Sequence, residues 1–190
     1  MKSFQDRLFK DFDAKRVTGK DGKTRRVYTY VGDYAAWNLK DEELQRYKRL
    51  YLGAGIVLLV LYVWKSLMRV PLNSSPLTGA ATLFCLVALM VLLGGVWQFI
   101  RAKKEMYLRD CRQMKDLVLW GSILYLIFEL FGTIAGIVFL ILNGVTFWSV
   151  MVILAGLVTA FLAFVFFAAQ RKLTILEIPG KKQKNSPDEA

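Results

Sequence analysis

The chain has 190 residues, 55% of them hydrophobic and 22% charged, with a formal net charge of +11. The apolar residues are gathered into long blocks near 50–68, 77–100, 117–142 and 145–170, which excludes an ordinary soluble domain. Histidine is absent, which removes the commonest general base, the commonest metal ligand and any Ser-His triad.

Residues 1–49 read as a cytoplasmic segment. Phe4, Leu8 and Phe12 recur every four residues, with Phe9 beside them, as in a short amphipathic helix. Such a helix either lies on the inner leaflet or covers the segment's own small core. Gly19-Lys20-Asp21-Gly22 is a turn signal, and Thr24 to Val31 is rich in Tyr, Val and Thr, as strands are. Ala14 to Thr18 is the expected hairpin partner. Gly22-Lys23-Thr24 matches the end of a P-loop, but the pattern needs Gly at position 17, which is Val17, and a helix afterwards rather than a strand. Asn38 is the expected N-cap of the next helix, with Asp41, Glu42 and Glu43 at its positive end.

Residues 50–170 form the predicted transmembrane domain. The first span has only about 15 apolar residues before Lys65, which is expected to lift its ammonium to the outer headgroups. Pro71, Asn73, Ser74, Ser75 and Pro76 make the outer loop. The second span opens with Thr78, Thr82 and Cys85 on one face. The stretch from Arg101 to Asp116 lacks Pro and Gly, and the neighbouring helices are expected to extend into it. Asn143-Gly144 is a turn dipeptide joining the last two spans into an antiparallel hairpin. Residues 171–190 hold a strand-like run, Leu173 to Ile178, expected to join the hairpin at Thr24–Val31. A charged tail follows, expected to be disordered. Cys85 and Cys111 lie at different depths, so no disulfide is expected. Cys111 reads as a free thiol, with palmitoylation as the alternative. The first apolar block begins too late for a cleaved signal peptide.

Lys and Arg number 13 in residues 1–49, 2 in 65–76, 6 in 101–116, none in 143–146 and 5 in 171–190. The heavy regions alternate with the light ones, which places both termini in the cytoplasm. Trp64, Trp97, Trp120 and Trp148 fall near expected span ends, as interface tryptophans do. The fold class is therefore an all-α membrane protein: a four-helix bundle, N-in and C-in, with a small cytoplasmic β element.

Glu129 stands alone as a charge within Leu117–Leu142, a run of roughly 39 Å as a helix against a hydrocarbon core of about 30 Å. An acidic residue at a helix centre costs about 2.5–3.5 kcal/mol on insertion scales, so something must compensate. Ser122, Tyr125, Thr133, Gly136 and Asn143 share its side of the helical wheel, and Gly132 lies near the same stripe. Gly132 and Gly136 form a GxxxG spacing, and Ser149, Gly156, Ala160 and Ala163 offer a small-residue face on the fourth span. The expected partners of Glu129 are hydroxyl, backbone or water groups, with Lys65 as the alternative. Lys65 lies roughly 24 Å up from the inner boundary and Glu129 roughly 18 Å.

Two functions follow as expectations. The first is a non-enzymatic scaffold, assembly factor or accessory subunit of the cell membrane, with Glu129 fixing helix packing. The alternative is a small oligomeric channel or transporter with Glu129 as a proton or ion site. No catalytic constellation, cofactor or metal site is expected. The expected partners are anionic inner-leaflet lipids and either a second copy or another membrane protein, with no nucleic acid.

Overall fold

The computed structural model describes residues 12–18, 24–30 and 32–179. In chain order the elements are β1 (Phe12–Thr18), β2 (Thr24–Tyr30), β3 (Tyr34–Trp37), α1 (Asp41–Leu67), a 3-10 helix (Pro71–Ser74), α2 (Pro76–Arg101), β4 (Glu105–Tyr107), α3 (Leu108–Asn143), α4 (Phe147–Lys172) and β5 (Ile175–Ile178). The 4 long helices are each long and apolar enough to cross a membrane. The helix expected over residues 4–12 lies outside the described residues except for Phe12, which begins β1. The charged tail also lies outside them.

α1 starts later than the sequence suggests. Its N-cap is Lys40, whose backbone N–H donates to Glu43 Oε2 at 3.2 Å. Asn38 is not the cap, because its N–H donates to the Thr174 carbonyl at 3.3 Å and so belongs to the sheet. Pro76 opens α2 at a position where its missing N–H costs nothing. Gly144 ends the third helix with φ +91°, a conformation that glycine adopts without steric cost. Thr146 caps α4 by accepting from the Ser149 N–H at 3.4 Å.

α2 and α3 meet backbone to backbone. A Cβ on Gly95 would lie 2.8 Å from Val118 Cγ2, and one on Gly121 would lie 2.7 Å from the Leu92 Cα. Only glycine allows so close an approach. Near the sheet, Tyr51, Phe99 and Phe166 fill the core, with ring centroids 4.8 and 5.2 Å from Tyr51. The Tyr51 hydroxyl donates to Gln170 Oε1 at 2.9 Å.

β1 and β2 pair antiparallel, with Ala14 opposite Tyr28. The second sheet has the order β4-β3-β5, all antiparallel, with Ala36 opposite both Glu105 and Leu176. One expectation fails here. The C-terminal strand does not extend the hairpin; it pairs with β3, a strand with no signal in the sequence. In the 101–116 stretch helix does continue at one end, where α3 runs from Leu108, and β4 stands between it and α2. In β3, Ala35 and Trp37 alternate into the core, and the Trp37 ring packs on Phe99 at 5.4 Å. That burial, rather than the weak strand preference of alanine, holds the strand.

The sheet joins segments that precede α1, follow α2 and follow α4. It therefore gathers three connections at one end of the bundle, while the 3-10 helix and the α3–α4 turn stand at the far end.

Candidate functional site

Lys65 lies near the far end of α1 and Glu129 halfway along α3. Both are buried, at 8% and 4% exposure. The Lys65 ammonium donates to both Glu129 carboxylate oxygens. Lys65 therefore does not rise to the far surface. Side chains on a helix tilt toward its N-terminus, which on α1 means back into the bundle. The expected hydroxyl, backbone or water partners of Glu129 give way to this ion pair.

Three further groups enclose it. The Cys85 thiol, on α2, donates to Glu129 Oε2 at 3.5 Å. On α4, Gly156 lies so near that a Cβ there would sit 2.8 Å from Glu129 Oε1 and 3.1 Å from Thr133 Oγ1. The Tyr62 ring stands 5.7 Å from the ammonium, and its hydroxyl donates to the Thr82 carbonyl at 2.9 Å. Each of the four helices thus contributes to the site.

The 3-10 helix covers its far side. The Asn73 side-chain amide donates to the carbonyls of Lys65 and Met68 at 2.9 and 2.8 Å, tying off the last turn of α1. Between this cover and the pair is a partly enclosed cavity of about 40 Å³, lined by Lys65, Asn73, Thr78, Cys85, Glu129 and Thr133, among others. A cavity of that size and polarity holds one or two waters.

The other stripe residues are placed as follows. Ser122 is fully buried, but its hydroxyl donates to the Leu119 carbonyl of its own helix at 2.8 Å. Tyr125 is fully buried one turn from Glu129, and its hydroxyl has no hydrogen-bond partner among the described residues. Thr133 is buried beside the cavity. Gly132 faces Ala81, with a Cβ distance of 3.1 Å, and Gly136 faces Leu72 at 3.3 Å, so the GxxxG spacing is used inside the chain. Ala160 is buried on α4. Asn143 is not part of the site; it is exposed at the turn, and its amide donates to the Phe139 carbonyl at 3.0 Å.

Sequence reasoning offered the α4 face that holds Gly156 as a packing surface for the stripe, but did not bring Cys85 and Asn73 to Glu129. Cys85 sits on one face with Thr78 and Thr82, which marked a polar stripe on α2 but not its target. Among the described residues no group of three or more His, Cys, Asp or Glu is placed to hold a metal ion. Chemically, the site holds a neutralised carboxylate with a thiol and a small water space beside it. Both cysteines are free and buried, and Cys111 packs in the core near the sheet.

No known protein family matches the chain, and neither the curated proteins nor the solved structures contain a match to it.

Proposed function

We propose that the chain is a polytopic protein of the cell membrane that acts without catalysis, as a scaffold, assembly factor or accessory subunit, with both termini cytoplasmic. One observation carries the reading. The intramembrane carboxylate is closed by an ammonium from the same chain, and helix, thiol and glycine pack around the closed pair. Such an arrangement serves helix registry, a known use of buried ion pairs. The alternating density of basic residues supports the orientation. The partner is a second copy or another membrane protein, met through the apolar outer faces of the helices.

A second reading rests on the cavity. The polar space beside Lys65 and Glu129 suits a proton or ion site reached from the far end. The double variant Lys65→Met/Glu129→Leu separates the two, since it removes both charges at similar volume. A scaffold keeps its melting temperature and its co-purifying membrane partners in this variant. A transporter keeps its fold but loses the proton or ion flux that wild-type proteoliposomes show. Flux present in wild type and lost in the folded double variant would overturn the scaffold reading.

A further inference from the structure

At the sheet end, α2, β4 and the start of α3 line a surface groove of about 720 Å³. Its walls carry Trp97, Arg101, Lys103, Glu105, Asp110 and Gln113. Gln113 is shared with a second hollow of about 370 Å³ further up the same pair of helices, lined by Val91, Arg109, Asp116, Leu117 and Trp120. The two form one track from the bundle end into the apolar belt. Beside it Gly94 is exposed, with nothing within 4 Å of where a Cβ would stand.

The track changes character along its length. At the bundle end it is charged, with both signs present: Arg101 and Lys103 against Glu105 and Asp110. The Arg101 guanidinium lies 4.4 Å from the Trp97 ring centroid, which holds it at the level where interface tryptophans sit. Higher up, Val91, Leu117 and Trp120 give the second hollow apolar walls beside Arg109, Gln113 and Asp116, and Gly94 is exposed on α2 between Val91 and Trp97. A purely anionic lipid would meet the carboxylates unfavourably. A choline headgroup has no N–H to donate to them. A headgroup with a phosphate and a primary ammonium satisfies both signs.

We propose that this track binds one aminophospholipid of the bilayer. Its phosphate lies on Arg101 and Lys103, its ammonium on Glu105 and Asp110, and one acyl chain runs over Gly94 toward Trp120. The proposal rests on the helices spanning a bilayer, and not on the scaffold reading.

Native mass spectrometry of the full chain in detergent tests it, with dioleoyl phosphatidylethanolamine, phosphatidylcholine and phosphatidylglycerol titrated at equal concentration. The ethanolamine lipid should bind about tenfold tighter than either of the others, the worth of one charge-assisted hydrogen bond. Glu105→Gln/Asp110→Asn should bring it down to the choline level. Arg101→Gln/Lys103→Gln should weaken all three lipids. Gly94→Leu, at an open helix position that leaves the fold alone, should obstruct the acyl chain and weaken all three as well. Equal binding of the three lipids by wild type overturns the proposal, as does a preference for phosphatidylglycerol or indifference to Gly94→Leu. A chain that fails to float with vesicles would instead sink the membrane reading beneath it.

Discussion

Glu129 has an ammonium partner inside an apolar bundle because Lys65 is aimed at it by the slant of α1's own side chains. The consequence is asymmetric. Removing one partner leaves the other charge buried and unpaired, which costs about 3–5 kcal/mol; removing both is often close to neutral. Glu129→Leu should therefore melt well below wild type in detergent, and Lys65→Met/Glu129→Leu should recover most of the loss. Equal melting of the single and double variants would show that the two charges do not depend on each other. Gly156 is the second sensitive residue. Gly156→Ala puts a methyl 2.8 Å from Glu129 Oε1, so the carboxylate must shift off its partners. The expected loss is about 1–3 kcal/mol, in the usual range for overpacking, read by thermal denaturation. The position of Glu129 as the one charge in its run was legible in the sequence, as was the polar stripe through Tyr125 and Thr133. Its partner, Lys65, was legible only as the alternative to hydroxyl, backbone or water groups. Helix wheels give an angle on one helix, whereas the pair depends on how α1 is rotated against α3, which packing decides.

At the scale of elements, the four long helices were readable because four long apolar blocks, the first completed across Lys65, have few other uses. The hairpin β1–β2 was readable from its turn signal and Tyr-Val-Thr run. The second sheet was not. β3 contains two alanines and is four residues long, and β4 has three residues, so neither carries a pattern. They are strands because Ala35 and Trp37 find the core and because β5 arrives opposite them. The register tests this. In a background without Cys85 and Cys111, Ala36→Cys with Leu176→Cys should form a disulfide on mild oxidation, since the two face each other on one side of the sheet. Ala35→Cys with Leu176→Cys should not, because adjacent positions point to opposite faces. Tyr28→Cys with Leu176→Cys should also stay unlinked. A crosslink there would put the C-terminal strand back on the hairpin.

At the scale of the molecule, the sheet makes the crossing number even. Segments from before α1, between α2 and α3, and after α4 can share a ladder only if they lie at one end. The basic residues concentrate at that same end, which by the positive-inside rule supports the proposed cytoplasmic placement. Ser74→Cys, on the exposed 3-10 helix, should therefore react with an impermeant maleimide in intact cells. Pro179→Cys should react only after permeabilisation. The reverse pattern would invert the orientation, and labelling at both positions in intact cells would contradict the shared sheet end.

The ion pair also has a history within each molecule. Lys65 and Glu129 are 64 residues apart, so at about 5–20 residues per second the lysine is made roughly 3–13 s before its partner. On the proposed topology, α1 during that interval is a nascent span with a lone cation near its far end. Its ammonium then has only the headgroups and water to turn to, the posture that its sequence suggests for an isolated helix. Arrival of α3 draws it inward. Ribosome-tethered chains that stop short of Glu129 should leave Lys65 open to an amine-acylating reagent from the far side of the membrane. Chains extended past Asn143 should protect it. Protection already present in the shorter chains would mean that the lysine is sequestered by something other than Glu129. On this timing, the buried pair records that the third span has been delivered.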